Sequence, residues 1–361
     1  FALPHPALDA NCFSVVWTGS VVMPRTMDGC IGLSTQDSMR LYVDDKLLID
    51  GWGKDKSADQ ALDFHFEAGR TYKIRIEFVN DRRGARVIFG YSAGRENFPA
   101  AVEAARKADV AILCMGDNEE TSGENFDRTD LNLPGRQLEL VQAVYATGTP
   151  VVLVLQSGRP VTANWENDHL PAILEAWFPG EQGGTAIAKT LFGDAAPGGR
   201  LPITFPRSVG QIPCHYSRRP GGGKRYVEMD WLPLYPFGYG LTYTTFAYRD
   251  MALSRSVIDP QDTVTVSVTV TNTGKYTGDA VPQLYVRDMF SSVVKPERQL
   301  AAFRRLTLAP GESRRVELTV GPKPLRTLGP DYVWRVEPGK FELQLGDNAE
   351  NILLRADLTV E

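Results

Sequence analysis

Apolar and polar positions alternate through much of the first 93 residues. Tyr72, Ile74, Ile76 and Phe78 are interleaved with Lys73, Arg75 and Glu77, the period-two signature of a strand with one buried face. The stretch MRLYVDDKLLID (39–50) reads as a hairpin turning at Asp44 and Asp45, and Gly69 and Gly84 punctuate further turns. No segment here carries helical periodicity, so the region is expected to be all-β. The texture changes near Asn97. Pro99 opens a capped helix with Val102, Ala105 and Ala108 on one face. Then VAILCM (110–115) reads as a short apolar strand. A helix is expected from Pro134, with Leu138, Val141 and Tyr145 on one face and Gly148 ending it. VVLVL (151–155) and AILEAW (172–177) are further apolar strands, the last followed by a Gly-rich turn and a helix through Ala186 to Phe192. Short apolar strands alternating with helices predict a parallel sheet buried on both faces, an α/β layer over 95–206.

Residues 207–245 are rich in Pro, Gly and aromatics and read as an ordered connector. From Phe246 the alternation returns. TVTVSVTVT (263–271) switches between Val and Thr or Ser and turns at Asn272 and Gly274; RRVELTV (314–320) and KFELQLG (340–346) follow. Strands and turns spread over 246–361 predict an immunoglobulin- or fibronectin-like sandwich, without the Cys pair of an antibody domain.

Composition narrows the function. With 361 residues the chain has room for two or three domains, and 43% hydrophobic and 23% charged residues are ordinary for a globular protein. A net charge of −5 gives no basic footprint, which argues against a nucleic-acid partner. No apolar run approaches a membrane span; PVVLVL (150–155) is about a third of one. The opening FALPHPALDA has no initiator Met, basic n-region or apolar h-region, so it does not read as a signal peptide. Cys114, inside an apolar run, is expected to be a small buried hydrophobe. Cys12 and Cys30 are either a pair or two free thiols, the latter favoured. The four histidines stand at no metal-ligand spacing, so neither metal nor cofactor is expected.

Six motifs occur in order: SGENFDR (122–128), LNLPGRQLELV (131–141), SGRP (157–160), WFPGEQGG (177–184), PGGRLPITFP (197–206) and YPFGYGLTYTTF (235–246). As an ensemble they resemble the α/β-sandwich domain of family 3 glycoside hydrolases with its fibronectin type III domain behind it. Residues 1–93, through WTG (17–19) and RLYVDDKLLIDGW (40–52), resemble the second half of a protective-antigen-like sugar-associated domain, which some members insert near the active-site mouth. The resemblance implies a multidomain chain: a partial protective-antigen-like β-domain, an α/β sandwich with a mostly parallel sheet, and a fibronectin type III-like sandwich. It also implies a partner, a barrel-containing N-terminal polypeptide or segment that carries the nucleophilic Asp, and a β-glucoside or oligosaccharide as substrate. The first strand and helix of the α/β sandwich would then lie outside this chain, and two of the three domains read as truncated at their N-terminal side. A non-catalytic carbohydrate-binding or scaffold chain is the alternative. A nucleotide-binding role is opposed by the lack of a Gly-rich phosphate loop and by the acidic loop after the first α/β strand.

That loop holds Asp117, Glu119, Glu120, Glu124 and Asp127, outside the carboxyl end of a parallel strand, where ligands bind in open α/β sheets. A retaining glycosidase needs two carboxylates about 5 Å apart, a nucleophile and a proton donor. By resemblance Glu124 is the general acid/base; from the residues alone the loop reads first as a solvated acidic turn, and Glu119 or Glu120 is the rival. Asp127 and Arg128 are expected either to pair with each other or the loop backbone and so brace Glu124, or to form an exposed ion pair of little weight. Glu181 reads as a helix-dipole partner rather than a catalytic group. Asp44 and Asp45 read as turn formers rather than calcium ligands. Arg82 and Arg83 stand either on a solvated turn or beside a sugar site. The aromatics of YPFGYGLTYTTF suit junction packing better than sugar stacking.

Overall fold

The computed structural model describes residues 12–35, 37–53, 58–80, 86–93, 98–221 and 225–361. Asn97, Gly84, Arg82 and Arg83 lie outside them, so the readings made at those positions are not addressed by the structure. The chain divides into two compact units, Phe1–Val102 and Glu103–Glu361.

Among the described residues up to Ala93 the first unit is all-β, as its alternation predicts. Its strands are β1 (Phe13–Val22), β2 (Met27–Thr35), β3 (Ser38–Val43), β4 (Lys46–Asp50), β5 (Ala58–Phe66), β6 (Thr71–Asn80) and β7 (Val87–Ala93). They form two antiparallel sheets, β1-β6-β3-β4 and β5-β2-β7. Tyr72, Ile74, Ile76 and Phe78 of β6 all point inward. Tyr72, Ile74 and Ile76 meet Ile31 and Leu33 of β2 and Phe66 of β5 in the core between the sheets. The hairpin turns where expected. Asp44 (φ 50°) and Asp45 (φ 64°) occupy the two left-handed positions of a two-residue loop, a conformation that Asp tolerates better than most residues. The Lys73 N–H donates to Asp44 Oδ1 at 2.9 Å and Arg70 reaches Oδ2 at 2.9 Å; together, the amide first, they hold this carboxyl below its ordinary pKa. Asp44 is thus occupied with the turn.

The second unit begins in α1 (Pro99–Arg106), the helix that links the two. It contains β8 (Ala111–Gly116), α2 (Gln137–Tyr145), β9 (Val151–Gln156), α3 (Asn164–His169), β10 (Ala172–Glu175) and α4 (Gly183–Leu191). The strands form a parallel sheet ordered β10-β9-β8. Central β9 buries Val151, Leu153, Val154 and Leu155, as its unbroken apolar run predicts. The edge strand β8 departs from expectation. Ile112 is 45% exposed and Cys114 is also exposed, so Cys114 is not the buried hydrophobe its neighbours suggest. Leu113 and Met115 occupy the more sheltered face, whereas the Ile112–Cys114 face is open. An apolar run marks both faces of a strand as coverable, but burial depends on what packs there. The expected helix at Pro134 begins three residues later, because Gly135 (φ 61°) makes a turn first. The six-residue α3 is unannounced by periodicity; Trp165 and His169, one helical turn apart, stack at 4.3 Å.

The connector has one short 3₁₀ turn, Val209–Gln211, among its described residues. It is held by side chains: Gln211 Nε2 donates to the Trp231 and Leu232 carbonyls, and Tyr216 stacks on Phe237 at 4.2 Å. The aromatic motif at its end packs a junction, as expected. Tyr235 donates to Asn167 of α3, and Tyr243 to the Thr190 carbonyl of α4.

The remaining strands are β11 (Phe246–Leu253), β12 (Val257–Ile258), β13 (Val264–Asn272), β14 (Gly278–Ala280), β15 (Gln283–Asp288), β16 (Gln299–Phe303), β17 (Leu306–Leu308), β18 (Ser313–Val320), β19 (Thr327–Leu328), β20 (Trp334–Arg335), β21 (Gly339–Gly346) and β22 (Ile352–Val360). Two sheets, β11-β13-β18 and β12-β22-β21-β15-β16, make the sandwich. Val264, Val266, Val268 and Val270 of β13 share one core with Phe341, Leu343 and Leu345 of β21. Each such burial is worth about 1.5–3 kcal/mol, which is why strict Val/Thr alternation fixes the register here. Among the described residues all four cysteines are free thiols.

Candidate functional site at the carboxyl ends of the parallel strands

The loops leaving β8, β9 and β10 gather at one end of the sheet. The first begins at Gly116, whose φ of 143° and close approach demand glycine: a Cβ there would stand 1.9 Å from the Gln156 carbonyl oxygen. Next comes Asp117, whose side chain is 4% exposed. Its Oδ1 accepts the Thr121 hydroxyl at 2.9 Å and faces Arg128 Nη1 at 3.4 Å; Arg159 Nε lies 3.9 Å from Oδ2. A sheltered carboxylate with two guanidinium neighbours is a compensated charge, which is what its burial requires. Of the acidic residues expected on this loop, Asp117 is therefore its anchor.

Glu119, Glu120, Glu124 and Asp127 are exposed. Glu124 and Asn125 form the corner of a turn closed by the Phe126 N–H to the Gly123 carbonyl at 3.2 Å, with Asn125 left-handed at φ 65°. Glu124 makes no hydrogen bond or ion pair among the described residues and stands at the tip. The expected Asp127–Arg128 pair is absent among the described residues. Arg128 turns inward to Asp117, to Asp130 Oδ1 at 3.3 Å and to the Asn132 carbonyl at 3.0 Å. Of the alternatives expected for Arg128, the contact with loop backbone is present, at the Asn132 carbonyl.

Two residues not anticipated as functional complete the site. Arg159, from SGRP after β9, donates to the Thr121 and Phe126 carbonyls and to Ser122 Oγ at 3.3–3.5 Å. Its motif and its place after a buried strand were the available signals. Next to it, a Cβ on Gly158 would stand 2.8 Å from Ser122 Oγ and 2.9 Å from the Phe178 ring, so the three loops touch through this glycine. Glu175 ends β10. Its Oε1 accepts the Trp177 N–H at 2.9 Å while Oε2 is buried without a hydrogen-bond partner among the described residues. Burial pushes this carboxyl up to about 7, the Trp177 amide opposing. Trp177 is held at φ 53° with its ring edge-on to Phe205, and Phe178 is 55% exposed. Glu181 lies just ahead of Gln182, the residue capping α4, near the positive end of the helix dipole and outside its first turn. Among the described residues no three His, Cys, Asp or Glu converge on a metal position.

Chemically, the arrangement presents solvent-facing carboxylates on a pinned loop beside an exposed aromatic ring. Such groups can donate or accept a proton. The class defined by this fold is a multidomain chain whose α/β layers project an acidic loop from the strand ends and carry a β-sandwich behind them. The family follows from likeness to known proteins. Residues 17–243 match the glycosyl hydrolase family 3 C-terminal domain, and residues 280–349 match a fibronectin type III-like domain. The chain belongs to glycosyl hydrolase family 3.

Among relatives, a β-xylosidase of Formosa agariphila is 45% identical over 302 residues, covering 80% of this chain and 42% of that protein. A periplasmic β-glucosidase of Salmonella typhimurium is 42% identical, covering 70% of this chain and 34% of that protein. Among solved structures, the Kluyveromyces marxianus β-glucosidase in complex with glucose superimposes with a TM-score of 0.71 at 29% identity, over 99% of this chain and 46% of that one. A β-glucosidase of Erythrobacter marinus gives 0.70 at 41% identity, over 73% and 36%. The chain thus spans less than half the length of these relatives.

Proposed function

We propose that the protein carrying this chain is a retaining, exo-acting β-glycosidase, a β-glucosidase first, in which Glu124 is the general acid/base. The observation that carries the reading is the placement of Glu124: a carboxylate at the solvent-facing tip of a pinned turn, outside the carboxyl ends of parallel strands. The nucleophilic Asp lies on a barrel-containing N-terminal segment or polypeptide. Glu124 protonates the glycosidic oxygen as the nucleophile attacks the anomeric carbon. It then takes a proton from the water that releases the sugar from the glycosyl-enzyme. The relatives' names, β-glucosidase and β-xylosidase, favour short β-glycosides or oligosaccharides as substrates. Residues 1–93 are part of a protective-antigen-like domain; 95–206 is the α/β sandwich, 207–245 the connector and 246–361 the fibronectin type III-like domain.

The test is Glu124→Ala in the full-length enzyme. Cleavage of glycosides with poor leaving groups should fall by about 10²–10⁴-fold, while activated aryl glycosides still form the glycosyl-enzyme. Azide should restore turnover and yield a glycosyl azide of retained configuration. Near-normal rates on unactivated glycosides, with azide rescue seen for Glu119→Ala or Glu120→Ala, would move the role to that residue.

A further inference from the structure

We infer that Arg159 is the positioning residue of the general acid/base, holding the turn that presents Glu124 from both of its ends. The inference rests on the reading of Glu124 given above. Thr121 and Ser122 lie just before the Gly123–Phe126 turn, and Phe126 closes it. Arg159 Nη2 reaches the Thr121 carbonyl at 3.5 Å, Ser122 Oγ at 3.4 Å and the Phe126 carbonyl at 3.3 Å; Nη1 reaches the same Phe126 carbonyl at 3.4 Å. One planar group thus bridges the entry and exit of the turn. The guanidinium is itself fixed from behind: Asp117 lies against Nε, and the Arg159 carbonyl accepts the Ser157 hydroxyl at 2.8 Å. Asp117 in turn holds Thr121 and Arg128, so the loop hangs from a buried cluster fixed to β8 and β9. Gly158 lets Ser122 and Phe178 close over the same spot, where a Cβ would force them apart.

Arginine suits this task because its donors form a rigid fork; a lysine ammonium on a flexible stem cannot span both carbonyls in one geometry. The donors of Arg159 point into the loop backbone, and its side chain is largely covered. It therefore acts through Glu124 rather than on substrate. A proton donor displaced by about 1 Å loses on the order of 10²-fold in rate.

The experiment is a double-mutant cycle in the full-length enzyme. Arg159→Ala, Arg159→Lys, Glu124→Ala and the two doubles are assayed on aryl β-glycosides spanning a range of leaving-group pKa. Arg159→Ala should slow poor leaving groups by about 10–100-fold and dinitrophenyl glycosides by less than about 3-fold, which steepens the leaving-group slope. Arg159→Lys should lie between Arg159→Ala and the parent, and it carries the cycle if the alanine variant does not fold. On poor leaving groups the doubles should be no slower than Glu124→Ala alone, because two residues acting through one proton are not additive. Equal slowing of all glycosides, or full additivity with Glu124→Ala, would overturn the inference. A steepened slope in Arg159→Ala with none in Glu124→Ala supports the clamp and overturns only the choice of Glu124.

Discussion

The side chain of Gln137, the first residue of α2, bonds both polar groups of Gly116, the last residue of β8: Oε1 accepts the amide at 2.7 Å and Nε2 donates to the carbonyl at 2.8 Å. A glutamine amide here mimics the next strand's peptide group, so the edge of β8 ends satisfied where the acidic loop departs. Gln137→Leu leaves both groups half-buried and unpaired, and a loss of about 1–3 kcal/mol is expected in chemical denaturation. Gly116→Ala adds the forbidden Cβ against the Gln156 carbonyl and should cost at least about 3 kcal/mol. A soluble Gly116→Ala protein with unchanged melting would contradict this geometry.

The β3–β4 hairpin gives an opposite pair of effects. Asp45→Gly relieves a left-handed position and should be neutral or stabilising by up to about 1 kcal/mol. Asp44→Ala keeps the strained position while removing the acceptor of Lys73 N–H and Arg70, and should lower the melting temperature. Reversal of the two signs would show that the turn forms differently.

Glu175 makes stability depend on pH in a stated direction. Its folded-state pKa of about 7 stands above the ordinary value of 4.5, so the native state holds the proton more tightly. Its favourable contribution is complete below pH about 4.5 and fades as the pH climbs through about 7. Glu175→Gln keeps an acceptor for the Trp177 amide and cannot ionise. The variant should therefore gain stability relative to the parent between pH 4 and 8, on the order of 3 kcal/mol, in paired denaturant titrations. A parallel offset across that range would place the native pKa near the unfolded one.

The open face of β8 makes a labelling prediction. If the rest of the full-length enzyme covers Ile112 and Cys114, a thiol reagent should modify Cys114 rapidly in residues 1–361 expressed alone and slowly in the full-length protein. The isolated chain should also self-associate, since uncovered apolar sheet faces and strand edges attract one another. A monomeric, cooperatively melting fragment would argue that no partner is needed there.

What could be read in advance follows from which physical terms are local. The β13 valines and the β6 aromatics announce their burial because a half-covered strand writes its surroundings into every second residue. The Asp44–Asp45 turn is legible because its backbone conformation restricts residue choice locally. Ile112 and Cys114 mislead because an apolar run does not say whether anything packs on both faces of a strand. The helix of Asn164–His169 is too short and polar to carry a period. At the site, the acidic residues and their position after a strand were visible. That Asp117 anchors while Glu124 faces solvent, and that Arg128 and Arg159 turn toward Asp117, depends on packing among three loops far apart in sequence.

The connector's attachment to the sandwich bears on exchanging parts between homologues. Gln283 of β15 donates to both the Gly238 and Asp347 carbonyls, and Arg218 bonds Glu297 and Glu350. A splice placed at Phe246 would import a sandwich whose glutamine and glutamates meet a foreign connector. A transplant cut near Pro206 carries both halves of those contacts along but parts Tyr235 from Asn167 and Tyr243 from Thr190, so the connector is fastened on both sides and neither boundary is free of severed bonds.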